Sequence, residues 1–163
     1  MMKNHPGIVE ETAKKWLSER GVALEDIADL VYTLQSGYYP KLTKEECLDN
    51  VNRVLSKREV HNAILTGIQI DRLAEEGKLA SPLQEIIDRD EGLYGIDEII
   101  ALSIVNVYGS IGFTNYGYID KVKPGILKKL NNKNYGCHTF LDDIVGAIAA
   151  AASSRLAHKT EES

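Results

Sequence analysis

Two adjacent aspartates, Asp142 and Asp143, lie inside HTFLDDIVGAIAAAA, an apolar, alanine-rich stretch from His138 to Ala152. Nothing next to them in sequence neutralises their charge. Carboxylates are seldom buried without a partner or a metal. A second copy of the pattern lies earlier in the chain. Ile96-Asp97-Glu98-Ile99-Ile100-Ala101 matches Leu141-Asp142-Asp143-Ile144-Val145-Gly146 as apolar, acid, acid, Ile, branched aliphatic, small. Two helices that each carry an acidic pair among apolar residues would supply oxygen ligands for a hard cation, such as magnesium or manganese.

A plainer reading of each pair also exists. Acids in a first helical turn are favoured by the helix dipole, and both pairs fall in first turns. Adjacent helical residues point about 100° apart, so each pair spans two neighbouring faces. Residues three and four further on lie beside them. Ala101 therefore adjoins Asp97 and Glu98, and Gly146 adjoins Asp142 and Asp143. A small residue at these places lets another helix or a ligand come close. Asp120 stands three residues before Lys123, a spacing that gives an ordinary helical ion pair. His138 reads as a loop histidine one residue before a helix cap, Thr139. His61 reads as structural, and Asp88, Asp90 and Glu91 read as a solvated loop.

These residues need a scaffold, and the chain offers helices. Apolar positions recur at helical spacing over residues 7–20 and 24–36. Thr43 with Glu46 forms a capping box that opens a helix to about Leu55. Ser56 to Glu59 repeats the device for a helix ending at Gly77. A short helix follows Ser81-Pro82. The stretch from Tyr94 to near Gly109 is a further long helix, Ile111–Lys121 is helix or loop, and Pro124 opens a short helix. The last helix spans about Thr139 to Leu156, with Lys159–Ser163 a frayed tail. Strand-like alternation is scarce. The expectation is an all-α, single multihelical domain of about seven to nine helices over residues 1–163. The last helix is apolar on most faces, so it should be central, with any leftover apolar patch in a homo-oligomer interface.

With 163 residues, 44% of them hydrophobic and 26% charged, the chain can build one substantial core. A net charge of -5 argues against a nucleic-acid partner. Cys47 and Cys137 form no metal-finger spacing or disulfide framework, which suits a reducing cytoplasm. The amino terminus has no apolar signal core, and the longest apolar run, 144–152, is about half a membrane span.

IDEIIA, YIDKVKP and FLDDIVGAIAA, in this order and at this spacing, resemble the phosphatidylglycerophosphatase A family, and most closely its soluble Gram-positive type. The resemblance is strongest over residues 92–152. It implies a magnesium-dependent phosphatase converting phosphatidylglycerophosphate to phosphatidylglycerol, working in the cytoplasm or peripherally at the inner membrane face. It implicates Asp97, Glu98, Asp142 and Asp143 as metal ligands, and Asp120 and Asp143 as catalytic acids. Lys123 and His138 are then substrate contacts, the substrate being a phosphorylated lipid or small molecule. The chain departs from the family pattern at three places. Gly117 stands where many members carry arginine, His138 where they often carry glycine, and Ile96 where tryptophan is common. An all-α nucleotide pyrophosphohydrolase would gather acids in a similar way. A non-catalytic cation- or phosphate-binding protein of the same fold is the third reading, and Gly117 favours it.

Overall fold

The computed structural model describes residues 6–161. Among the described residues there are nine α-helices, two short 3-10 turns and no strand. The helices are α1 (Pro6–Glu19), α2 (Leu24–Gln35), α3 (Lys44–Val54), α4 (Arg58–Glu75), α5 (Leu83–Asp88), α6 (Ile96–Val105), α7 (Ser110–Val122), α8 (Ile126–Leu130) and α9 (Leu141–Glu161).

The expected helices form, with their ends set by local chemistry. Thr43 Oγ1 accepts the Glu46 amide at 3.2 Å, which is the N-cap read from the sequence. Ser56 does not repeat it: its hydroxyl donates to the Arg53 carbonyl, and Lys57 stands at the cap of α4 without a side-chain bond. The undecided stretch 111–121 is helical throughout. Pro124 lies before α8, with Gly125 at the cap. Lys159 is still within α9, which runs to Glu161. Residues 162–163 lie outside the described residues.

α9 is the axis of the bundle. From Phe140 to Ser154 every residue is buried, and α2, α3, α4, α6, α7 and α8 all pack on it. A helix apolar all round is stable only when wrapped in this way. Its alanines present little more than backbone and Cβ, so neighbours approach closely. α1 packs against α4 and α2 against α3. The order makes α9, last in sequence, the element around which the earlier helices close.

Two glycines mark the tightest crossings. A Cβ on Gly67 of α4 would overlap Ile144 Cδ1 and sit 3.0 Å from Phe140 Cβ. A Cβ on Gly146 of α9 would press on Ile119 Cγ2 of α7 at 3.1 Å. Gly117 contrasts with both: it is exposed on α7 and a Cβ there meets nothing within 4 Å. Gly67→Ala should therefore destabilise by about 1–3 kcal/mol through overpacking. Gly117→Ala should stabilise by about 0.5–1 kcal/mol, because an exposed helical glycine only adds unfolded-state entropy. Chemical denaturation of the two variants beside the parent checks both signs.

Candidate active site

The two acidic pairs do the same thing locally. Asp97 Oδ1 accepts the Glu98 amide at 3.0 Å, and Asp142 Oδ1 accepts the Asp143 amide at 2.8 Å. Each first acid thus binds an amide of its own helix start, which the dipole favours. This leaves the rest of the pair to face a neighbour. The amino-terminal ends of α6 and α9 converge, and Asp97 reaches Asp143 side chain to side chain. The carboxy-terminal end of α7 completes the cluster. Lys123 Nζ lies 3.2 Å from Asp120 Oδ1 and 3.4 Å from Asp142 Oδ2, so one ammonium bridges acids of two helices. Tyr116 donates its hydroxyl to Asp143 Oδ1 at 3.1 Å.

Electrostatics follow from that crowding. Asp143 is pushed far above the usual carboxylate range, first by burial, then by Asp142, by its bond to Asp97 and by Asp120. Asp142 is raised less: burial drives it up and Lys123 opposes. Burial works against the Lys123 charge, but Asp142 and Asp120 outweigh it and hold the ammonium charged. Tyr116 is raised by burial and by Asp143, so its hydroxyl keeps its proton and donates.

Of the remaining residues singled out, Glu98 is exposed on the same turn as Asp97. His138 is buried and lines a cavity of about 300 Å³ that also borders Asp142. Its ring nitrogens are engaged within the protein: Nε2 lies 2.9 Å from the Tyr135 carbonyl, and Nδ1 lies 3.4 Å from an Arg20 nitrogen. Burial lowers its pKa, in keeping with a neutral ring that donates to Tyr135 and accepts from Arg20. Thr139 is not the cap expected of it; its hydroxyl donates to the Ile87 carbonyl. His61 is structural as expected, buried against the Leu55 carbonyl.

Sequence reasoning missed three contributors. Asp71 of α4 caps α9 from outside the helix: it accepts the Phe140 amide at 3.0 Å and the Leu141 amide at 2.9 Å. Burial pushes Asp71 up to about 8, opposed by those two amides and by Arg20. The signal was present, since Asp71 shares the apolar stripe of Ile64 and Ile68. Arg20, from the end of α1, bonds Glu75 and donates to the Cys137 carbonyl at 2.8 Å, which fixes the loop entering α9. Asp90 lines the same cavity, and its carboxyl is raised by burial and by Asp97. The sequence alone reads its loop as solvated.

The carboxylates gathered here are the donors a hard divalent cation takes. Their mutual repulsion is what such an ion would relieve, so the donor set fits it in kind. Among the described residues, no three His, Cys, Asp or Glu side chains stand close enough in this arrangement to hold a metal. Lys123 supplies the positive charge that the acids share.

Fold and site together define an all-helical protein whose carboxylate cleft is built from three helix ends. The chain belongs to the Phosphatidylglycerophosphatase A family, whose model matches residues 15–158. The match takes in most of the amino-terminal half, where the sequence showed only helical character. The chain is 67% identical to the uncharacterized protein YutG of Bacillus subtilis, over 93% of this chain and 92% of that one. A protein of unknown function from Bacillus stearothermophilus is 75% identical in sequence. Its solved structure superposes with a TM-score of 0.91, covering 92% of this chain and 94% of that one. The low temperature requirement C protein of Listeria monocytogenes gives a TM-score of 0.92 at 67% identity, covering 94% and 97%.

Two substitutions should separate the cap from the acid cluster. In chelator, Asp71→Asn should destabilise by about 2 kcal/mol, because it replaces one of the two acceptor oxygens at the start of α9 with an NH2 group, a donor set against backbone donors. Asp143→Asn should stabilise under the same conditions. Burial and the neighbouring acids hold the folded Asp143 carboxyl far above its unfolded value of about 3.9. Between those values the folded state binds the extra proton, so stability falls as pH rises. Thermal melts in chelator across this range should slope downward for the parent and less steeply for Asp143→Asn, in which Asp71 and Asp142 keep their share of the slope. A parent that gains stability with rising pH would contradict the assignment.

Proposed function

We propose that the chain is a divalent-cation-dependent phosphomonoesterase acting on a lipid phosphate, with phosphatidylglycerophosphate as the substrate its family implies. The observation that carries this reading is the meeting of Asp97, Asp120, Lys123, Asp142 and Asp143, with Asp142 also on the wall of the cavity that Asp90 and His138 line. Asp97, Asp142 and Asp143, with Glu98 at the rim, would hold the cation. When bound, a magnesium or manganese ion neutralises phosphate charge and lowers the pKa of water.

The chain's own residues supply the rest. Lys123 carries its ammonium between two acids and can exchange a carboxylate for a phosphate oxygen. Asp120 is then released from Lys123 and is placed to accept the proton of an attacking water. The water oxygen bonds to phosphorus, the bond from phosphorus to the ester oxygen breaks, and the departing alcohol takes up a proton. Tyr116 orients Asp143 through its hydroxyl. His138, with both ring nitrogens engaged, shapes the cavity wall and keeps its place through Arg20 and Tyr135.

The test is phosphate release from phosphatidylglycerophosphate in mixed micelles, with magnesium and with chelator, beside a panel of nucleoside triphosphates. Magnesium-dependent release from the lipid alone is expected. Asp143→Asn and Asp120→Asn should each lower kcat about a hundredfold or more, while both stay folded. Lys123→Ala should mainly raise KM. Magnesium should raise Tm, and Asp97→Asn and Asp142→Asn should shrink that rise, since only the folded state binds the ion. Turnover of triphosphates in place of the lipid would favour a nucleotide pyrophosphohydrolase. A Tm response to magnesium without any turnover would favour a binding protein.

A further inference from the structure

The cavity that Asp142 borders encloses about 300 Å³, the share of about ten waters in the liquid. That is room for a headgroup rather than a whole lipid. Asp142 joins the cavity to the acid cluster, since its Oδ2 lies 3.4 Å from Lys123 Nζ. A phosphate oxygen taken by Lys123 therefore leaves the alcohol side of the ester next to this space.

Most polar groups on the cavity wall are committed inside the protein. Glu75 pairs with Arg20, and Asp88 accepts from Gln84 at 3.0 Å. Lys133 donates to the Arg89 carbonyl and Thr139 to the Ile87 carbonyl. Both ring nitrogens of His138 are engaged, and the Cys137 thiol lies 3.9 Å from Thr139 Oγ1. Asp142 accepts the Asp143 amide and pairs with Lys123. That leaves Asp90 and Asn131, which line the cavity and are exposed. Among the described residues, neither the Asp90 carboxylate nor the Asn131 side-chain amide has a hydrogen-bond or ion-pair partner. Lys133 and Lys123 act on Asp90 only from beyond ion-pair reach.

The two free groups are complementary. An ionised carboxylate only accepts, whereas an amide both donates and accepts. A hydroxyl satisfies both at once, donating to the first and accepting from the second. Leu130, next to Asn131, lines the same cavity and offers apolar contact to carbon. An alcohol without a hydroxyl would displace water from both polar groups and return no hydrogen bond.

We propose that Asp90 and Asn131 are specificity-determining residues, selecting phosphomonoesters whose alcohol carries a free hydroxyl close to the ester oxygen. The proposal rests on the phosphomonoesterase reading above. Sites that hydrogen-bond a substrate hydroxyl discriminate strongly against the analogue that lacks it, because their own polar groups are then left unpaired.

The experiment compares glycerol 3-phosphate with propyl phosphate, which has the same three carbons and no hydroxyl. With magnesium, the parent should favour glycerol 3-phosphate in kcat/KM by about tenfold or more. Asp90→Gly and Asn131→Ala should each bring that ratio toward one, and Asp90→Asn should keep part of it. Glycine accepts the positive φ of Asp90, 51°, so Asp90→Gly should fold as the parent does. A second readout does not need turnover. In the Asp120→Asn background, the Asn131 side-chain amide, followed by nitrogen-15 NMR, should shift with glycerol 3-phosphate and stay in place with propyl phosphate. The proposal is overturned if the parent turns over both esters alike, or if the Asn131 amide does not respond. It is also overturned if Asp90→Gly abolishes the Tm rise with magnesium, which would make Asp90 a holder of the cation. Equal turnover of the two esters would leave the phosphatase reading standing without this selectivity. A selective Asn131 shift with no turnover of any ester would keep the hydroxyl subsite and remove the phosphatase reading.

Discussion

The Asp71 carboxylate takes two of the free amides at the start of α9, and the rest of the site is placed by that bond. A helix start buried among apolar neighbours leaves its first amides without partners, at a cost of about 1–3 kcal/mol each. α9 cannot cap itself, because the hydroxyl of Thr139 is turned to Ile87. The cap has to come from another helix. α4 can supply it only because Gly67 lets α4 and α9 approach at Phe140 and Ile144. Once α9 is fixed against α4, Asp142 and Asp143 have one direction to face, toward α6 and α7.

That direction is electrostatically expensive. Asp97, Asp120, Asp142 and Asp143 act on one another in a mostly buried volume with a single ammonium between them. Backbone strain is concentrated in the same place. Among the described residues, the non-glycine residues with left-handed backbone are Asp90 and Lys123, and both face this cleft. Such conformations cost about 1–2 kcal/mol per residue. Lys123 gains from its strain: a left-handed turn at the end of α7 brings its ammonium back between Asp120 and Asp142. Self-repulsion and strain kept together at one locus are the stability that the proposed site would give up for binding.

The fold was largely legible because its signals are local. Helical periodicity, Thr43 at a cap and glycines past helix ends depend on residues a few positions apart. The central place of α9 followed from its being apolar on every face. The pairing of the two acidic motifs was legible because a repeated local pattern gives a repeated local geometry, as the amide bonds of Asp97 and Asp142 show. The missed elements are all long-range. Asp71 meets α9 across 69 positions and Arg20 meets Cys137 across 117. No spacing rule joins such residues; only the bundle's closure does. Asp90 was lost for a different reason, since a loop of acids and glycine has the same composition whether it faces water or a cleft.

The convergence of helix ends explains why carboxylates can be gathered here at all. α6 and α9 both begin at the cluster, so their dipoles put partial positive charge where Asp97 and Asp142 accept amides. α7 ends there, which is the favourable end for a cation, and Lys123 occupies it. Each residue type thus sits at the helix terminus that suits its charge. Gly117 fits the same logic. It lies one turn before Asp120 on the exposed face of α7, where a longer side chain would meet solvent at the mouth. An arginine at that place would add a second cation outside the cluster without disturbing the first. Glycine at this place leaves the balance between Lys123 and the acids to the cluster itself.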